Sequence, residues 1–226
     1  MTPLVLRSTK SGVKRWERAE DVELPTSTDT GHRKILATHA AEYDWLAGRA
    51  RERGADLDES AFAEAKATHL DTLHHMLKNG DEATARHLAG IRVMPWEGHN
   101  DTLYNHHHKA IFIGTETMAG GHKKYDAPMG HLVAHELAHA ADYRSGHSEV
   151  GEEIKAKLSR GKDPTWLSGR LKDALTDHRE WAPRLLELHL KNPKAFEKVA
   201  ARMKKDHGID VKALMKRSTG LHLGEK

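Results

Sequence analysis

The chain has 226 residues, with 36 Lys and Arg against 33 Asp and Glu, for a formal charge of +3. That length allows one sizeable domain with a small appendage, and 38% hydrophobic with 31% charged residues describes a polar globular protein. No run approaches the roughly 18–20 apolar residues of a membrane span; the lack of cysteine excludes a disulfide framework, thiol catalysis and Cys-ligated zinc, whereas 19 histidines are several times the usual number.

The opening MTPLVLRSTKSG has no apolar signal core, so the expected location is cytoplasmic, or delivered or packaged without a classical signal peptide. Residues 4–20 read as a hairpin about a Lys-Ser-Gly turn, and ELPTSTDTGH at 23–32 as a linker, making 1–33 an appendage. Helices are predicted over 34–53 and 59–79, with Asp58 as N-cap and Gly80 past the end, then a short one over 82–88. Trp45, Leu46, Leu70, Leu73 and Met76 have the spacing of core positions. IRVMPW (91–96) and KAIFIG (109–114) are the predicted strands, joined by a polar loop that carries His106, His107 and His108. A Gly-Gly loop at 120–121 precedes a helix capped by Asp126, entered near Pro128, running to about Arg144 and stopped by Gly146. Further helices are expected at 149–159, 164–176, 180–191 and 193–206, the last closed by Gly208, with Asp210 capping a short final one. From Lys191 onward ten basic residues face four acidic ones, a net +6 that reads as a solvated helical face and makes 209–226 a basic tail. The expected fold class is α+β, predominantly helical, with residues 34–208 as the main domain.

The helix after Asp126 reads HLVAHELAHAADYRSGH. His135 and His139 are four apart, about 40° around a helix and about 6 Å along it, so both imidazoles can converge on one zinc ion. Glu136 lies about 100° round from His135, placed to take a proton from water rather than to bind metal. Val133, Ala134, Leu137, Ala138 and Ala141 give the helix an apolar side for a core. This arrangement, a small sheet beside an HExxH helix, is what a zincin-like domain requires. A third ligand must come from elsewhere. Position 145 is Ser, which excludes a histidine six residues after His139. Asp142 is expected to orient a ligand or bind an arginine rather than to ligate, and His147, Glu149, Glu152, Glu153 and Glu180 are the remaining choices.

HELAHAADYRSG, followed about forty residues later by EWAPRLLELHLKNPKAF, resembles the anthrax-lethal-factor-like zinc peptidases, a gluzincin group of toxins, phages and mobile elements. Across residues 109–200 the resemblance implies a ligand set of His135, His139 and Glu180 with Glu136 as general base, matched through Pro193 and Phe196 at the end of the second motif. Pro183 and Arg184 depart from the family pattern; proline is tolerated only in a first turn, so the helix is expected to begin near Glu180. Asp177 and Glu180 also have capping-box spacing. The family's oxyanion-binding tyrosine has no counterpart in 165–179; His178 is the nearest substitute, then Tyr143 and Tyr125.

The resulting expectation is a zinc-dependent endopeptidase with a polypeptide substrate, whose strand pairs with the backbone of Ile111, Phe112 and Ile113. The rival is a zincin fold kept as a structural or binding module of a phage or toxin assembly. Nucleic-acid binding through the basic C-terminal helices is a weaker third reading.

Overall fold

The computed structural model describes residues 4–8, 14–18, 29–52, 54, 56–97, 99–119, 129–145, 147–158, 164–167 and 169–223. The Lys10-Ser11-Gly12 turn, most of the 23–32 linker, Gly120, Gly121, Tyr125, Asp126, Pro128 and Gly146 lie outside the described residues. The chain is predominantly helical with a small mixed sheet and divides into two compact units, one of Met1–His75 with Ala89–Ala134, the other of Met76–Leu88 with His135–Lys226. Among the described residues no helix is long and apolar enough to cross a membrane.

In the first unit β1 (Leu4–Ser8) and β2 (Lys14–Arg18) form the expected antiparallel hairpin, with Leu6 opposite Trp16. α1 (Thr30–Glu52) begins four residues before its predicted start, because the Asp29 carboxylate accepts from the backbone N–H groups of Gly31 and His32. Leu36, Ala40, Tyr43, Ala47 and Ala50 repeat at helical spacing and are buried. Trp45 falls off that stripe and is 50% exposed, with Arg49 over its ring, so its predicted core position is corrected; Leu46, Leu70, Leu73 and Met76 are buried as expected. α2 (Glu59–Asn79) is capped by Asp58, which accepts from Ala61 N–H. His39, Tyr43 and His69 are wholly buried, but their polar atoms pair: His39 Nδ1 is 2.9 Å from His69 Nε2, and the Tyr43 hydroxyl 3.3 Å from His69 Nδ1. Burial keeps the His69 imidazole neutral by pushing its pKa well down, and the nearby His39 adds to this.

The sheet has the order β3–β5–β4, from β3 (Arg92–Trp96), β4 (Thr102–Asn105) and β5 (Ala110–Gly114). β5 is parallel to β3 and antiparallel to β4. KAIFIG is therefore the central strand, and the expected substrate pairing along Ile111, Phe112 and Ile113 is corrected: both backbone edges of β5 are already bonded, and Ile111 and Ile113 are fully buried. β3 is closed as an edge as well. Glu42 Oε2 accepts from Val93 N–H at 2.8 Å, and Pro95, next on that side, has no N–H to offer. The polar loop between the predicted strands contains β4, with Thr102 and Tyr104 buried and Leu103 outward. His106, His107 and His108 form the β4–β5 turn, where Asn105 Oδ1 accepts from His107 and His108 N–H. α4 (Thr115–Met118) follows β5 directly.

The second unit receives part of α3 (Glu82–Ala89) and the latter part of α5 (Met129–Asp142), which passes into a 3₁₀ turn at Tyr143–Ser145. α6 (Glu149–Leu158) follows. The predicted 164–176 helix is instead a turn, a 3₁₀ segment at Gly169–Lys172 and the short α7 (Asp173–Thr176), because Gly169 takes a left-handed conformation at φ +57°. A further 3₁₀ turn, His178–Glu180, leads into α8 (Trp181–Lys191), so Pro183 lies in the first turn as required. Asn192 caps α9 (Pro193–His207), left-handed Gly208 ends it, and Asp210 caps α10 (Val211–Thr219). Trp181, Leu185, Leu186, Phe196, Met203 and Val150 form the buried centre of this unit. The basic segment from 209 is part of that core: Ile209, Val211, Leu214, Met215, Leu221 and Leu223 are buried, and Thr84 Oγ1 donates to Thr219 O. From Lys191 onward the charges are interleaved as expected of a solvated face, with Arg202–Asp206, Lys204–Asp210 and Lys212–Glu197 ion pairs.

Candidate metal centre

α5 carries His135 and His139 on one side, with ring centroids 4.7 Å apart, and the 3₁₀ turn before α8 carries Glu180 toward them. Glu180 Oε2 lies 3.1 Å from His135 Nε2, and Oε1 lies 3.4 Å from His139 Nε2. One ligand atom from each of the three residues falls within 4.8 Å of the others, and this group can hold a metal ion. Asp177 does cap the 3₁₀ turn, accepting from Arg179 N–H, but the Glu180 carboxylate faces the imidazoles rather than completing a capping box.

Electrostatics within the group are strongly coupled. Burial alone opposes the charge on His135, yet Glu180 and Glu187 outweigh it and raise its pKa to about 9. Burial likewise opposes ionisation of Glu180, and the two imidazoles overcome it, holding the carboxyl well below the usual carboxylate range. Glu180 Oε2 is buried and, among the described residues, makes no hydrogen bond; its close neighbours, His135 Nε2 at 3.1 Å and Arg184 Nη2 at 3.2 Å, are ion-pair contacts. A buried carboxylate whose two oxygens each reach one imidazole nitrogen, one of those oxygens making no hydrogen bond, fits a cation, and a two-nitrogen, one-oxygen donor set suits zinc.

The residues around the group were only partly anticipated. Glu136 is 7% exposed, next to His135 on α5. Glu187, which the sequence reading missed, places Oε1 3.2 Å from His135 Nδ1, the position of the carboxylate that fixes a ligand's ring and tautomer. Asp142 does not take that role. It accepts from Ser148 Oγ at 2.5 Å and from Val150 N–H at 3.2 Å, fastening the end of α5 to the start of α6. His178 Nε2 is 2.7 Å from Glu152 Oε1, so its imidazole is held by α6 and is no member of the three-residue group. Glu153 pairs with Lys157 and Arg217, and among the described residues neither Glu149 nor His147 joins the group.

Gly151 is a further position that sequence reading passed over. A Cβ there would run into the carbonyl of His178, two residues before Glu180, so glycine lets α6 lie directly against the turn that aims Glu180. Gly151→Ala is expected to destabilise the protein by about 1–3 kcal/mol through overpacking and to weaken metal binding with it. Urea unfolding beside metal titration checks both.

Asp142 gives a pH signature. Burial raises its carboxyl to about 6, against the lowering effect of Ser148 and Val150. Folding thus favours the neutral acid: that contribution is complete below about pH 4 and is lost as pH rises through about 6, a change of roughly 3 kcal/mol. Asp142→Asn lacks this titration. Its stability relative to wild type is expected to improve by up to about that amount between pH 4 and pH 7, as read from urea midpoints; a pH-independent difference would refute it.

The chain was compared with protein-family models, curated proteins and solved structures, and none matches. The site therefore rests on its own geometry: two histidines and a glutamate that can hold a metal ion, beside a buried glutamate.

Proposed function

We propose that the protein is a zinc-dependent endopeptidase of the gluzincin type, with a zincin-like fold akin to that of the anthrax-lethal-factor-like peptidases. The observation that carries the reading is Glu180, whose carboxylate reaches the two histidines of the HExxH helix from a separate turn, 3.1 and 3.4 Å from their Nε2 atoms. His135, His139 and Glu180 would hold the ion. Zinc in such a site supplies Lewis acidity that makes water a usable nucleophile near neutral pH and polarises a peptide carbonyl.

The chain's own groups do the rest. Glu136 takes the proton of the attacking water and returns it to the leaving amine. Glu187 holds His135 Nδ1, so Nε2, on the side of Glu180, would be the nitrogen that binds the ion. To serve as a ligand, His135 would give up the proton that Glu180 and Glu187 favour on it, so metal affinity should fall as pH is lowered.

One observation favours the rival reading, a zincin fold kept for structure or binding. His178, the substitute for the family's oxyanion-binding tyrosine, is engaged with Glu152. The test is metal content by mass spectrometry on the purified chain, followed by cleavage of a peptide library. One zinc per chain and discrete cleavage sites are expected. One zinc without cleavage would favour the binding module, and no zinc after reconstitution would end the peptidase reading.

A further inference from the structure

We propose that Arg184 is a positioning residue that locks the metal-facing carboxylate of Glu180 to the histidine-orienting carboxylate of Glu187. The inference rests on the metal reading above and adds to it the element that organises the site.

Glu180, Arg184 and Glu187 sit four and then three residues apart, on one side of α8 and the turn before it. Arg184 Nη2 lies 3.2 Å from Glu180 Oε2; Nη1 lies 3.2 Å from Glu187 Oε2 and 3.3 Å from its Oε1. His135 completes the circuit from α5, with Nδ1 3.2 Å from Glu187 Oε1 and Nε2 3.1 Å from Glu180 Oε2. Four side chains, each 20% exposed or less, form a closed ring. A rotation of either glutamate is therefore transmitted to the histidine.

The chemistry favours a fork over a point charge. Two carboxylates seven residues apart, about two helical turns, on one side of the same segment repel and would splay. A planar guanidinium contacts both at once through different nitrogens, whereas a lysine ammonium offers one atom on a flexible stem. A cation beside a divalent ion also repels it, so a purely electrostatic role predicts the reverse of a positioning one: removing Arg184 would tighten metal binding. The shared contacts and their burial point to positioning as the stronger effect.

The experiment measures Zn²⁺ affinity by chelator competition on the full chain for wild type, Arg184→Lys, Arg184→Met, Glu187→Gln and the Arg184→Lys/Glu187→Gln double variant, and records visible spectra of the Co²⁺ forms. Far-UV circular dichroism confirms folding. Both Arg184 variants are expected to bind Zn²⁺ about 10–100-fold more weakly, the range for loss of an outer partner, and to shift the Co²⁺ spectrum. The double variant should lose little beyond the worse single change, because both break one ring. If Arg184→Met does not fold, Arg184→Lys decides alone. Wild-type affinity and spectrum in Arg184→Lys, or tighter binding in Arg184→Met, would overturn the proposal while leaving the metal site standing. Failure of the wild-type protein itself to bind Zn²⁺ would remove the metal reading, and this inference with it.

Discussion

Glu136→Gln is expected to keep one zinc per chain with little change in affinity, and to slow peptide hydrolysis by about 100- to 10,000-fold, the range for loss of a general acid–base group. The side chain is 7% exposed on a helix whose neighbours are packed, so an amide of nearly equal volume leaves the helix intact. What disappears is a carboxylate that can accept a proton. The loss should fall on kcat with KM nearly unchanged, since a proton acceptor acts in the transition state rather than in substrate binding. Steady-state kinetics on a peptide that the wild type cleaves, with metal content measured on the same preparation, decides the matter. An active Glu136→Gln protein would reassign the base; a variant that lost its zinc would make Glu136 a structural residue.

The HExxH helix was legible because its signals are local: a four-residue histidine spacing and an apolar side that buries Val133, Leu137 and Ala141. The same is true of α9 and α10, where Asn192-Pro193, Gly208 and Asp210 act as predicted. Glu180 could be singled out only through resemblance, since nothing in its spacing separates it from Glu149, Glu152 or Glu153. The ring around it was hidden for another reason. Arg184 and Glu187 have the spacing of ordinary surface ion pairs on a helix, and only the folded structure, with Glu187 against His135, reveals that they are largely buried.

Strand order was equally out of reach. KAIFIG is the most apolar strand, and that property marks a central position better than an edge; the partner covering its second side, β4, has four residues and one outward leucine, too short for alternation to be visible. Asp142 was expected to orient His139 or bind an arginine, but its partners are Ser148 and Val150. Their nearness depends on the turn after α5, which no periodicity encodes.

Glu180→Ala is expected to weaken zinc binding at least about 100-fold, at or beyond the upper end of what an outer partner's loss produces, because one of three protein ligands is removed. The cleanest readout is stability. A ligand that binds only the folded chain stabilises it by RT ln(1 + [L]/Kd), about 2.7 kcal/mol at a concentration of 100 Kd, so wild type should gain a clear upward shift in Tm with zinc and Glu180→Ala almost none. Without zinc the variant should also be the less stable protein. Glu180 lies between His135, His139 and Arg184, and deleting it leaves the cationic groups of a largely buried ring with Glu187 as their one remaining carboxylate. The two effects have separate controls. Glu187→Ala breaks the same ring but spares the proposed ligand, so it should lower the zinc-free Tm similarly while retaining a reduced zinc shift. If instead Glu187→Ala abolished the shift and Glu180→Ala preserved it, the third ligand would be Glu187, and α8 would present its second turn to the metal rather than its start.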